Sequence, residues 1–324
     1  MSQKYDNAVN LFITNYKLNE NSANTIETYS RVLRYYSQFL AKHGYDEPSI
    51  QSTAEWKASL VSKDSTNSVS LVTADMYLRI LKMFSDFAVE CELLPNVIMT
   101  DKMMLNKKKV KNERLMKDYD HVLSEEDVQA LINAEKATYG KTSNRFIQAR
   151  AVVTLSLMSG LRNIELRNLK MSNLHFSEGY IYVEITKGGK PRYVPFSDTA
   201  QKAINAYLNS GIRPSSAGLD DYLFGVTTRE GIWRQYERTE LSEMILRYEK
   251  SVIGEEKASR SHALRHCFAS NARENGMALE DISQILGHRS LGTSLIYAKN
   301  NNPDMFAANF GKRYENAVVR ERVS

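Results

Sequence analysis

The chain has 324 residues, 42% hydrophobic and 25% charged, which is a globular composition and excludes a disordered, collagen-like or coiled-coil chain. Lys and Arg number 43 against 38 Asp and Glu, a net charge of +5, so a nucleic-acid partner is permitted but not demanded. Two cysteines cannot build a disulfide framework, the start Met1-Ser2-Gln3-Lys4 lacks a signal-like apolar run, and Ala151–Leu161 is too short to cross a bilayer core of about 30 Å. A soluble cytoplasmic protein of about two domains is expected, with no membrane anchor.

Tyr5, Ala8, Val9, Leu11, Phe12 and Tyr16 recur at helical spacing. A second helix starts within Ser22–Thr25, carries Tyr29, Val32, Leu33, Tyr36, Phe39 and Leu40 as one stripe, and ends at Gly44. Ile50, Ala54, Trp56 and Leu60 predict a third, and Leu71, Ala74, Leu78, Leu81, Phe84 and Phe87 a fourth after Ser70. Four helices with short polar joints predict a compact bundle over residues 1–106.

The stretch from Pro95 to His121 has no clean apolar period and gathers Lys107, Lys108, Lys109, Lys111, Arg114 and Lys117. Residues 107–122 are expected to be a basic linker. Its charge fits a solvated loop and a strand tracking a phosphate backbone equally well.

A second domain is expected over residues 123–324. Ser124 followed by Glu125, Glu126 and Asp127 is a helix start, with a hydroxyl cap and acids at the positive end of the helix dipole. Arg145–Ser159 is a helix stopped by Gly160, and another begins at Asn163. The pattern then turns β-rich at Tyr180–Ile185, turns at Lys187-Gly188-Gly189-Lys190, and is β-rich again at Arg192–Pro195, a hairpin. Helices are predicted at Ser197–Leu208, Trp233–Tyr248, His262–Asn275 and Leu279–Leu286. The fold class is mainly α, a helical bundle plus a mostly α domain with a small antiparallel sheet.

Four clusters carry potential chemistry. His262 and Arg265 share a helical face. His262 and His266 have metal-ligand spacing, but Ala263 stands where a zinc protease needs Glu, so no metal is expected. Arg162 follows a glycine turn at a helix start, where free backbone N–H groups favour an anion, and Glu165 one turn on can hold it. Lys187 sits on the hairpin turn, and His288 after Leu286-Gly287 precedes Tyr297 by nine positions. Taken singly, each has a plain structural explanation: a core histidine, a surface Arg–Glu pair, a solvated turn lysine, one of 18 tyrosines.

Together and in order, Gly160-Leu161-Arg162…Glu165-Leu166, Lys187, His262-x-x-Arg265-His266, Leu286-Gly287-His288 and Tyr297 resemble the tyrosine recombinase (phage integrase) family over about residues 123–300. The leading bundle is similar to that family's core-binding domain. The resemblance implies that Arg162 and Arg265 clamp a scissile phosphate and that Glu165 braces Arg162. It makes Lys187 the acid for the leaving 5′-oxygen, His262 a proton-handling group, His288 a phosphate partner and Tyr297 the nucleophile. Ala263, Cys267, Met171 and Asn173 depart from common family residues without touching these positions.

The implied activity is site-specific DNA cleavage and rejoining through a 3′-phosphotyrosine, integrating or excising a mobile element, with no cofactor. Alternatives are a Xer-like dimer resolvase, a type IB topoisomerase and a non-catalytic DNA-binding protein of the same fold. Implied partners are double-stranded DNA, other copies in a tetrameric synapse, and accessory bending or directionality proteins. The residues after Tyr297, with Phe306, Phe310 and Tyr314, would pack on a neighbouring subunit or on their own domain. An additional arm-binding domain ahead of the bundle is not expected.

Overall fold

The computed structural model describes the backbone of residues 3–119, 123–134, 145–184, 191–258 and 261–287, and their side chains except at 3, 114–119, 261 and 262. The chain divides into two compact units, Met1–Lys117 and Asp118–Ser324. No helix among the described residues is long and apolar enough to cross a membrane.

The first unit is built of α1 (Gln3–Leu18), α2 (Ala23–Lys42), α3 (Ile50–Val61), α4 (Leu71–Glu90) and α5 (Lys107–Tyr119). Serine hydroxyls open three of them: Ser22 accepts from the Thr25 N–H, Ser49 from Ser52 and Ser70 from Thr73, satisfying donors that a helix start leaves free. Most of the residues predicted from spacing are buried, with Tyr5, Phe12, Leu33, Tyr36, Trp56, Leu78 and Phe84 in one core, but Leu11, Ile50 and Ala54 are exposed, and α3 buries Ser52 and Thr53 beside Trp56 and Leu60. Phe84 meets Tyr5 and Phe12 edge-on at ring centroids 5.5 and 5.6 Å apart, a geometry the aromatic quadrupole favours.

The basic segment departs from expectation, because Lys107–Tyr119 is helical. Asn106 caps it, its Oδ1 accepting from the Lys108 and Lys109 N–H groups at 2.9 and 3.3 Å, and lysine is a good helix former. Val110 is buried, and the Leu71 N–H at the start of α4 donates to Glu113 at 3.0 Å. The pattern is too polar to show a period, yet a carboxylate of the helix reaches the start of α4. Lys107, Lys108, Lys109 and Lys111 stay exposed.

The second unit runs α6 (Glu125–Asn133), α7 (Arg145–Ser159), α8 (Asn163–Asn168), β1 (Leu174–His175), β2 (Tyr180–Val183), β3 (Arg192–Pro195), α9 (Asp198–Leu208), β4 (Gly225–Thr227), β5 (Trp233–Gln235), α10 (Arg238–Ile253), α11 (Ser261–Glu274) and α12 (Leu279–Leu286). Helix α7 is buried almost throughout, from Phe146 to Ser159, as a helix apolar on all sides must be. Around it pack α6, α9, α10 and α11. Strands β1, β2 and β3 form an antiparallel sheet in that order, and β4 pairs with β5.

The helix predicted from Trp233 begins only at Arg238; Trp233–Gln235 is the strand β5. The physical reason is long-range. Thr227 pairs with Trp233 and Gly225 with Gln235, and the Trp233 ring lies where a side chain on Gly225 would be.

Candidate active site

The site is assembled around the ends of short elements. Helix α7 stops at Gly160, whose φ of +62° is left-handed and disfavours any side chain. A Cβ there would also meet Phe268 at 2.6 Å and Leu286 at 2.7 Å. The turn delivers Arg162 to the residue preceding α8. Its backbone N–H donates to Glu165 Oε2 at 2.8 Å, and its Nη1 donates to Oε1 at 3.0 Å. Glu165 has a fully buried side chain.

Arg265 comes from α11. Its guanidinium is buried, Nη1 donating to the Gly160 carbonyl at 2.7 Å and Nη2 to the Leu286 carbonyl at 2.6 Å. Arg162 Nη2 donates to the next carbonyl, that of Gly287, at 3.3 Å. The two arginines expected to act together therefore hold consecutive carbonyls at the end of α12. These are groups a helix leaves unsatisfied, at the negative end of its dipole.

A third arginine, missed in the sequence, completes the cluster. Arg192 of β3 donates from Nη1 and Nη2 to the two oxygens of Glu165, both at 2.9 Å, and from Nε to the Ile285 carbonyl at 2.6 Å. Strand alternation held the signal. Arg192 is paired with Val183 and Val194 with Ile181, so Arg192 shares the face of three buried residues and needs a buried partner.

Two guanidiniums thus hold one carboxylate, and the third, that of Arg265, feels its charge without bonding it. Burial pushes the Glu165 carboxyl up, but the hydrogen bonds and charge of Arg192, with those of Arg162, outweigh it and hold it below the ordinary carboxylate range. Burial first, then the charges of Arg162 and Arg192, push Arg265 down to about 9 against the opposing pull of Glu165. Such a cluster carries more positive charge than its one acid balances, and an arriving anion relieves it. Among the described residues each of Arg162 and Arg265 engages two of its five N–H donors, leaving others for that anion.

His262 falls in the first turn of α11, three positions before Arg265. Lys187, His288 and Tyr297, and the tail with Phe306, Phe310 and Tyr314, lie outside the described residues. Cys267 is buried, its sulfur accepting from the Leu123 N–H at 3.2 Å, and burial pushes its thiol up to about 11, so it is a packing residue and not a nucleophile.

Residues 121–303 match the phage integrase family. The chain belongs to that family. Among curated relatives, tyrosine recombinase XerD of Ralstonia nicotianae is 31% identical over 280 residues, covering 85% of this chain and 83% of its own. Tyrosine recombinase XerD of Listeria monocytogenes serotype 4b is 27% identical over 286 residues, covering 85% and 88%. The XerH site-specific recombinase, solved bound to palindromic difH substrate as a post-cleavage complex, shares the fold with a TM-score of 0.63 at 19% identity, covering 88% of this chain and 79% of that one. This tyrosine recombinase is accordingly a site-specific recombinase enzyme, and the Arg162–Glu165–Arg265 cluster lies within its family-matching region.

Proposed function

We propose that this recombinase cuts and rejoins double-stranded DNA through a covalent 3′-phosphotyrosine, integrating or excising a mobile element as an assembly of several copies. One observation carries the reading: Arg162 and Arg265, distant in sequence, converge on adjacent carbonyls beside a buried carboxylate. In this reading their free donors meet the non-bridging oxygens of a scissile phosphate, where in-line displacement concentrates negative charge. The Tyr297 oxygen attacks phosphorus and the bond to the 5′-oxygen breaks. The phenol, with an ordinary pKa of about 10, gives its proton to His262, while Lys187 protonates the departing 5′-oxygen. His288 hydrogen-bonds the phosphate. The phosphotyrosine ester keeps the energy of the broken bond, so a 5′-hydroxyl from another strand reverses the step and joins new ends. The exposed lysines of α5 supply phosphate contacts elsewhere on the duplex.

The test is a nicked duplex carrying the element's end sequence. Wild type should leave a covalent protein–DNA adduct and Tyr297→Phe none; an undiminished adduct from the variant removes the nucleophile. A second reading, Xer-like resolution, is favoured by curated relatives named XerD and XerA. Exchange between two directly repeated chromosomal sites, without reaction at element ends, would select it.

A further inference from the structure

We propose that Arg192 is a positioning residue for the phosphate clamp: it occupies both oxygens of Glu165 so that this acid orients Arg162 without cancelling its charge. The proposal rests on the reading of Arg162 and Arg265 as that clamp.

The geometry argues for this in three steps. First, Arg192 stands on the core face of β3, opposite Val183, with its side chain 9% exposed. A buried guanidinium is a poor way to gain stability, since desolvation consumes most of what the ion pair returns and an apolar side chain fills such a place as well. Second, the planar fork of Arg192 takes Oε1 and Oε2 together at 2.9 Å each, while Arg162 reaches Oε1 with one nitrogen and Oε2 with its backbone N–H. Without Arg192 both carboxylate oxygens would fall to Arg162. The pair would then close into a two-pronged bridge of its own, and the guanidinium would lose both its free donors and its net field toward an incoming phosphate. Third, Arg192 joins the pieces that must keep register. Its Nε holds the Ile285 carbonyl of α12, and its side chain packs under Gly287, where a Cβ would lie 3.2 Å from Cδ. Gly287 has φ of +63° and ψ of 49°, and His288 follows it. Arg192 itself stands five positions after Lys187. One side chain thus fixes α8, β3 and the end of α12 together.

The test compares single-turnover cleavage of two suicide duplexes, one with an ordinary scissile phosphodiester and one with a methylphosphonate there, which lacks the negative charge the clamp neutralises. Arg192→Gln should slow the ordinary substrate by about 10- to 100-fold, the range for residues that orient a site's own ligands, with DNA binding unchanged. On the neutral linkage that penalty should fall toward unity, as it should for Arg162→Ala. A mere folding defect lowers both rates equally, so the ratio of the two penalties is independent of the fraction folded. An equal penalty on both linkages for Arg192→Gln, beside a shrinking one for Arg162→Ala, overturns the role of Arg192 and leaves the clamp standing. An equal penalty for Arg162→Ala overturns the clamp and Arg192's role with it. Arg192→Lys keeps the charge but cannot hold two oxygens at once, and it serves if the glutamine variant is insoluble. It should show the same substrate-dependent loss, and a wild-type rate on the phosphodiester would refute the two-pronged hold.

Discussion

Both units bury neutral polar groups, but only the second buries a cluster of paired charges among the described residues. In the helical unit the buried polar network is neutral. The Tyr36 hydroxyl lies 2.9 and 2.8 Å from those of Ser52 and Thr53, and Ser85 Oγ accepts from the Ile98 and Met99 N–H groups. Its buried acid, Asp75, leans on an exposed Arg79. The other unit buries Glu165 and Arg265, with a part-buried Arg192 paired to Glu165. A hydroxyl network costs little to desolvate and fixes helix register. Buried charges cost several kcal/mol each unless paired, in the range of about 3–5 kcal/mol when a partner is removed. Where a fold accepts that cost at the ends of three elements, function is the better explanation than stability.

The contrast breaks first, and most visibly, at the clamp. Arg162→Ala and Arg265→Ala should each lower strand cleavage by about 10²- to 10³-fold, the loss expected when a donor to a charge-developing oxygen is removed. DNA affinity should stay within about tenfold, because most of it comes from other phosphate contacts. Loss of the gel-shifted complex with either change would contradict that division of labour.

In the helical unit the largest effect should come from a purely apolar change. Phe84 is fully buried between Tyr5 and Phe12, and Phe84→Ala should cost about 3–5 kcal/mol in urea or thermal unfolding. A cost below about 1 kcal/mol, the scale of an ordinary surface change, would mean the aromatic cluster is not the core it looks to be.

Acid should separate the units next. The Glu165 carboxyl is held low in the folded protein. Its contribution is therefore present above the ordinary carboxylate value of about 4.3 and is lost as pH falls through the folded value. Glu240, held down to about 2 chiefly by its hydrogen bonds to Arg234, adds to the same trend. Unfolding midpoints of the catalytic unit should fall from about pH 5 toward pH 2, and Glu165→Gln should flatten that slope. An unchanged slope in the variant would place the acid sensitivity elsewhere.

The smallest effect concerns α5. Replacing Lys107, Lys108, Lys109 and Lys111 by alanine should reduce the dependence of log affinity on log salt by about 0.9 for each lysine that sits on a phosphate, with little change in cleavage of bound substrate. An unaltered salt slope would make this basic face a solvated surface.

The helical unit was legible almost throughout because its signals are local. Apolar residues three and four apart named the buried faces of α2 and α4, though in α3 Ile50 is exposed where Ser52 and Thr53 are buried, and Ser22 and Ser70 named two starts. The motif Gly160-Leu161-Arg162 with Glu165 likewise predicted a turn, a helix start and an Arg–Glu contact, and all three are present. Two segments defeated local reasoning. Helix α5 has too few apolar residues to declare a period, and its Glu113 meets Leu71, forty-two positions earlier. Trp233 fits a helical stripe until the partner strand at Gly225–Thr227 claims it.

By itself the amino-acid order determined most of the helices, α5 and the start of α10 excepted, where glycine must turn the chain, and which cationic and hydroxyl side chains recur in the family's sequence. Those follow from steric limits and periodicity that act within a turn or two. Only the tertiary structure decided that Glu165 is shared between Arg162 and Arg192 and that three arginines settle on successive carbonyls of Ile285, Leu286 and Gly287. Apart from Arg162 with Glu165, those pairings span 21 to 125 positions. They form because buried charge and unsatisfied helix-end carbonyls must find partners wherever packing brings them, which no local pattern records.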